Sequence, residues 1–350
     1  MDLSAKIKGI RYKPLLCREL EVFDYKDLEE AISCASFILK INEENQIAIS
    51  RWVSAKRTRS YPYARVYDTL GFSGKKITII PIVKDEGKKG DRDFLQWDTV
   101  SLMSLLGVYV IIAYYVDAEP SKKEKYKTSK ITEQRFDIPY IKQEIKKLLS
   151  YQSDALHWNL SQIEKVGEIG KKALRFYDRI SKKLKIEMHS RQSAEKRITE
   201  LLKGKNEFMK LSRMLAEKAQ KRERLTIQPK ENLLGKKAII TIQNYLGGYY
   251  YFTSDEAEVK GNNVFLIEGK HSKNNSLPSL EDIKDGLLKM ILFTNLEDVK
   301  IGSKNYNSVA VLKLTIENRI NTRNLNDSQK RNLKLLYREA KQNNFKLKIL

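Results

Sequence analysis

Three residues in the last third of the chain, Asp255, Glu268 and Lys270, have the types and spacing to do chemistry on a phosphodiester. Asp255 stands where one strand-like run gives way to a hairpin, and the second arm of that hairpin, Val264 to Ile267, is an apolar run leading into Glu268 and Lys270. Side chains two apart on a strand share a face, so Glu268 and Lys270 project together while Gly269 faces the other way. A turn at Gly261, Asn262 and Asn263 folds the arms back and brings Asp255 level with Glu268. Two carboxylates and one ammonium then meet at the edge of a sheet. Such a pair of carboxylates suits Mg2+, with Mn2+ as the alternative, because a hard cation takes oxygen ligands and keeps several waters. The ion would offset charge on the scissile phosphate and make a water more acidic. The lysine would orient or deprotonate that water and stabilise charge building on phosphorus. No covalent protein intermediate is needed.

The elements that must position these groups read as follows. Ala238–Ile242, Tyr249–Phe252, Glu256–Lys260 and Val264–Glu268 are strand-like. An amphipathic helix is expected over Ser279–Leu296, with Ser279 as N-cap ahead of Glu281 and Asp282. A strand over Asn307–Glu317, a helix over Asp327–Asn343 and a closing strand over Phe345–Leu350 complete the region. Upstream, Tyr25–Ile41 has apolar residues at helical spacing. Lys76–Val83 and Val108–Val116 read as buried strands on either side of a helix over Phe94–Leu106, an α/β arrangement. From Ile138 to about Arg224 the pattern is helical and basic. Residues 171–224 hold 18 Lys and Arg against 7 Asp and Glu, which is half of the whole charge excess. Ile198, Leu201, Leu202, Phe208, Leu211 and Leu215 keep an apolar stripe there, and Gly204 interrupts or joins two helices. This divides the chain into an N-terminal α/β domain (1–160), a basic helical connector (161–228) and a C-terminal domain (229–350).

The net charge of +22 over 350 residues narrows the function classes. A cationic excess spread along the whole chain is costly in self-repulsion and suits a polyanionic partner, nucleic acid above all. The longest apolar run, Leu105–Val116, carries three tyrosines and is too short to span a bilayer. The N-terminus has no signal-peptide pattern. With two cysteines and three histidines in all, no Cys/His zinc cluster can be assembled. The expectation is a cytoplasmic protein with no membrane partner.

The segment from Thr253 to Lys270 resembles the PD-(D/E)xK nuclease motif, the core of most type II restriction endonucleases. Ser254-Asp255 stands where that family has Pro-Asp, and Glu268-Gly269-Lys270 matches Glu-x-Lys. The resemblance covers about residues 230–350. It implies Asp255 and Glu268 as metal ligands, Lys270 as the catalytic lysine, and a restriction-endonuclease-like mixed sheet flanked by helices in an α/β (α+β) chain. The family often adds an acidic residue from a preceding helix, for which Glu195, Glu200 and Glu207 are candidates. Glu256 or Glu258 could serve instead in a different register. Ile77–Val116 is also similar, more loosely, to an N-terminal region of some bacterial restriction endonucleases.

Lys56, Arg57, Arg59 and Arg65, interleaved with Trp52, Tyr61 and Tyr63, make a candidate DNA contact, arginines for phosphates or guanine edges and rings for sugars or bases. The alternative is a solvated basic loop among core tyrosines. Asp85, Glu86, Asp91, Asp93 and Asp98 form a second acidic group without a following Glu-x-Lys, read as structural or part of target recognition. His157, His189 and His271 are scattered, and only His271, beside Lys270, is placed to touch phosphate. The expected activity is sequence-specific hydrolysis of double-stranded DNA with Mg2+. Palindromic sites need two cuts, so a homodimer is expected, together with a companion DNA methyltransferase acting on the same site. The alternatives are a repair or transposon-associated structure-specific nuclease of the same fold, and a non-catalytic DNA-binding protein.

Overall fold

In the computed structural model, residues 1–56, 61–202, 236–244, 249–272, 276–316 and 325–350 are described. The chain forms two compact units. One gathers Met1–Glu19, Tyr63–Gly71 and Arg213–Leu350; the other holds Leu20–Pro62 and Phe72–Ser212. The chain is therefore mixed α/β, as expected, but its first strand, β1 (Asp2–Ile7), belongs with the C-terminal residues. Its alternation of Leu3, Ala5 and Ile7 inward and polar residues outward is that of a strand with one buried face.

The second unit is built on β2 (Val22–Asp24), β3 (Ser36–Lys40), β4 (Gln46–Arg51), β5 (Lys76–Pro81), β6 (Val83–Asp85), β7 (Arg92–Phe94), β8 (Val108–Ala113), β9 (Tyr115–Pro120) and β10 (Ile131–Phe136). Five of these make one sheet in the order β2-β3-β4-β5-β8, in which β4, β5 and β8 run parallel. Such strands are buried on both faces and read as unbroken apolar runs, which is why Ile77–Pro81 and Val108–Ala113 were legible. A helix lies at Trp97–Leu105. The helix expected over Tyr25–Ile41 is corrected. Only Leu28–Ala31 is α-helical, after a 3-10 turn, and Ser36–Lys40 is β3, paired with β4. Phe37, Ile38 and Leu39 fit both periods, and pairing decides. Helices Ile138–Leu149, Ala155–Glu164, Val166–Leu184 and Arg191–Leu202 follow. The basic connector thus begins as well-packed helix, with Ile169, Ala173, Tyr177, Ile180 and Ile198 buried. Its remainder, Gly204 included, lies outside the described residues.

The first unit joins β1 to β11 (Lys236–Asn244), β12 (Tyr249–Lys260), β13 (Asn263–Ser272), β14 (Glu297–Ile301), β15 (Lys304–Ile316) and β16 (Lys346–Ile349) in the order β13-β12-β11-β1-β14-β15-β16. A further pairing of β13 with β15 closes the run of strands on itself. β11, β12 and β13 form an antiparallel meander. The turn between β12 and β13 puts Gly261 at φ +57°, a left-handed conformation that glycine adopts without strain. β1 is parallel to β11, and β15 is parallel to β13 and β16. Between β13 and β14 runs a helix over Leu280–Phe293, whose N-cap Ser279 accepts a hydrogen bond from the Asp282 N–H. Its Ile283, Leu287, Leu288, Met290 and Ile291 are buried against the sheet. A last helix spans Asp327–Gln342, opened by an Asn326–Gln329 capping box.

Candidate active site

The β12–β13 register pairs Glu256 with Ile267 and Ala257 with Leu266. One step further, Asp255 comes level with Glu268. Asp255 Oδ2 accepts the Gly269 N–H at 2.8 Å. Ser254, in the place of the family's proline, has its Oγ 2.6 Å from the Glu256 carbonyl and 2.9 Å from that of Ile267, a side-chain clasp across the two strands. Glu268 and Lys270 share a face: Lys270 Nζ lies 3.0 Å from Glu268 Oε1. The structure brings Asp255, Glu268 and Lys270 together.

Two further side chains, which the spacing in the sequence did not single out, complete the cluster from the Leu280–Phe293 helix. Asp285 Oδ2 accepts from Lys270 Nζ at 2.7 Å, and Lys289 Nζ donates to Glu268 Oε2 at 2.6 Å. Asp285 and Lys289 are one turn apart, so they stack on one helix face. Gly286 lets that face come close, since a Cβ there would meet Leu312 Cδ1 at 2.8 Å and Lys270 Cε at 3.2 Å. The signal that could have found them is a charged i, i+4 pair on the otherwise apolar side of a helix following the motif strand.

Electrostatics follow from burial. Glu268 is 1% exposed. Burial pushes its carboxyl up to about 7; Lys289 and Lys270 oppose this, and the adjoining Asp255 adds to it. Asp255 goes the other way. Burial works against its charge, but Lys289, the Gly269 N–H and Lys270 outweigh that and hold it below the usual carboxylate range. Lys270 is half-buried, which disfavours its charge, yet Glu268 and Asp285 keep it firmly protonated. Two carboxyls forced into different protonation behaviour by one environment are a feature of functional clusters.

The donor set fits a hard divalent ion. Asp255 and Glu268 offer neighbouring carboxylate oxygens, and Mg2+ is commonly held by one or two carboxylates with water and substrate filling the rest. No group of three or more His, Cys, Asp or Glu suited to a metal occurs among the described residues. Of the acids considered as an additional ligand, Glu256 pairs with Lys313 at 2.6 Å and Glu258 with Lys260 at 2.9 Å. Glu195 pairs with Arg191 at 2.6 Å, in the other unit. The Glu200 side chain and Glu207 lie outside what is described.

The expected DNA-contacting segment is only partly described. Lys56 is exposed and Arg65 half-buried, while Arg57 and Arg59 lie outside the described residues. Trp52 and Tyr63 are buried in the cores of their respective units and cannot stack on bases, so that part of the reading is corrected; Tyr61 is exposed. In the second acidic group, Asp85 accepts from the Gly87 N–H and lies 2.8 Å from His189 Nδ1, and Asp93 accepts from Ser54 at 2.7 Å. These are structural roles. His271 is exposed beside the site, 3.0 Å from Thr315 Oγ1. No helix among the described residues is long and apolar enough to cross a membrane. Comparison with family models, with curated proteins and with solved structures gave no match.

Proposed function

We propose that the chain is a Mg2+-dependent endonuclease of the PD-(D/E)xK type, with a restriction-endonuclease-like fold in its first unit, cutting double-stranded DNA at a short specific sequence. The observation that carries this reading is the meeting of Asp255, Glu268 and Lys270 on one hairpin, facing Asp285 and Lys289 across a helix. The net charge of +22 supports a polyanionic substrate independently. Asp255 and Glu268 would hold the ion, which when bound offsets phosphate charge and acidifies a water. Lys270, kept protonated and fixed by Asp285, orients the attacking water and stabilises the charge growing on the phosphoryl oxygens. The water oxygen forms a bond to phosphorus as the bond to the bridging oxygen breaks, leaving a phosphate monoester and a hydroxyl. Two cuts in a palindromic site call for a homodimer, and a cytoplasmic nuclease of this kind needs a companion methyltransferase to protect its own genome.

The test is incubation with phage DNA with and without Mg2+, followed by sequencing of the fragment ends. Discrete fragments with a shared end sequence are expected, and Glu268→Ala or Lys270→Ala should end cleavage while DNA binding persists. Cleavage confined to junctions or flaps would transfer the site to a structure-specific nuclease. Binding with no cleavage in any chain would leave a DNA-binding protein.

A further inference from the structure

The second unit contains a polar cleft of about 400 Å³ that the nuclease reading does not use. It lies beyond the carboxyl ends of three parallel strands. Arg51 closes β4, Lys84 follows β5, Tyr115 follows β8, and all three line the cleft. In open α/β sheets that end is where ligands settle. The opposite wall is the β9–β10 ribbon with its connecting loop, which contributes Lys123, Tyr126 and Lys130.

Four cations, Arg51, Lys84, Lys123 and Lys130, face two carboxylates, Glu86 and Glu133. Lys84 and Glu86 neutralise each other at 3.0 Å, so the remaining excess is cationic. The Tyr126 ring holds Lys130 Nζ at 4.5 Å and Lys125 Nζ at 5.4 Å from its centroid, fixing ammonium groups at the loop. The ribbon is also strained where it forms the wall. Its register shifts between Thr132 and Arg135, and Glu133 sits at φ +44°, left-handed for a residue with a side chain. Bulges and strained backbone of this kind gather where a side chain must be aimed at something.

We propose that this cleft binds a nucleoside phosphate, either free or as one nucleotide of a DNA strand. Lys123 and Lys130 supply the phosphate site. The volume exceeds what an inorganic anion fills and lies in the range of small-molecule clefts. The hydroxyls of Ser121 and Thr132, also in the lining, offer neutral partners to sugar and base.

The experiment is equilibrium binding to the full chain in EDTA, so that no cleavage intervenes. The probes are deoxynucleoside 5′-mono- and triphosphates, a short single strand, an abasic strand of equal length, the four nucleosides and inorganic phosphate. Saturable binding is expected for the free nucleotides or the base-bearing strand, weakened about tenfold or more by Lys123→Glu or Lys130→Glu. Free nucleotides that bind identify a soluble ligand; binding by the strand alone identifies a strand nucleotide. Lys123→Ala, at an exposed loop position, provides a second variant should either charge reversal perturb folding. The assignment is overturned if these variants bind as the parent does, if inorganic phosphate displaces nucleotide at equal concentration, if the abasic strand binds as tightly as the base-bearing one, or if nothing binds. The Lys123 and Lys130 variants leave Asp255, Glu268 and Lys270 unchanged, so the effect of those variants tests the cleft and the nuclease reading stands or falls separately.

Discussion

Lys289 Nζ lies 2.6 Å from Glu268 Oε2 while Lys270 Nζ lies 3.0 Å from Oε1, so both oxygens of the site's most deeply buried carboxylate already face an ammonium. A divalent ion reaching Glu268 has to displace one of them. Lys270 is tied to Asp285 as well, which leaves Lys289 as the competitor. Lys289→Met should therefore tighten Ca2+ binding, with a charge-assisted hydrogen bond of about 1.5–3 kcal/mol no longer opposing it, which is roughly tenfold or more in affinity. Calorimetric titration of the DNA-free protein checks this. Unchanged or weaker Ca2+ binding would show that Lys289 supports the ion rather than competing with it.

The protonation of Glu268 gives a signed pH dependence. Burial holds its carboxyl at about 7 in the folded chain, against an ordinary value of 4.5. Below the ordinary value both folded and unfolded chains carry the proton. As pH rises toward 7 the unfolded chain releases it first, so stability falls across this window, by on the order of 3 kcal/mol for a difference of this size. Above about 7 the loss is complete. In metal-free buffer the parent should thus lose stability between pH 5 and pH 8 relative to Glu268→Gln, as followed by urea unfolding. Added Mg2+ should reduce the loss, because it favours the ionised form. At limiting Mg2+ the cleavage rate should fall as pH drops through about 7, and higher Mg2+ should move that midpoint to lower pH. A parent that gains stability over the same range relative to the variant would contradict the assigned environment.

What the sequence disclosed here was local. Asp255, Glu268 and Lys270 were readable because a two-residue period and a Gly261–Asn263 turn fix their relations within sixteen positions. Asp285 and Lys289 were not singled out, although they lie only a helix away, because their helix was read for its apolar stripe and cap rather than for charges on the buried side. β1 was missed altogether. Its partner β11 lies more than two hundred positions downstream, and parallel pairing across such a distance leaves no local trace. The 36–40 strand was absorbed into a helix because a short apolar run fits both periods. Trp52 and Tyr63 were offered to DNA by their basic neighbours, and burial is the one property that composition there could not supply.

In the proposed reaction Asp285 would act through Lys270, to which it is bonded at 2.7 Å. Asp285→Asn keeps a polar partner but loses the charge that anchors the ammonium. Small displacements of a catalytic group cost rate more than binding, so kcat should fall about ten- to a hundredfold with KM for DNA nearly unchanged. Asp285→Glu should recover part of the loss. A KM effect alone, or no difference between Asn and Glu, would assign Asp285 to substrate binding or to packing.

The same helix is fixed from its other side by a buried ion pair. Lys284 Nζ lies 2.5 Å from Asp68 Oδ1, and the two side chains are 2% and 7% exposed. Asp68 also accepts the Arg18 backbone N–H at 3.1 Å and faces the Arg18 guanidinium at 3.4 Å. Lys284 and Asp285 are adjacent, so they point to different sides of the helix, and the pair sets how the helix is turned about its axis relative to Glu268 and Lys270. Lys284→Met leaves Asp68 charged and buried with weaker compensation, and breaking such a pair typically costs about 3–5 kcal/mol. The unfolding free energy should fall by that amount, read as a lower urea midpoint with an unchanged slope. Replacing both partners, Lys284→Met with Asp68→Asn, should recover much of the stability, because the uncompensated charge is gone. It should not recover the cleavage rate, since the hydrogen bond that fixed the helix is still missing. If the double variant cuts at the parental rate, the pair contributes to folding alone and the placement of Asp285 and Lys289 is secured by the apolar face of the helix.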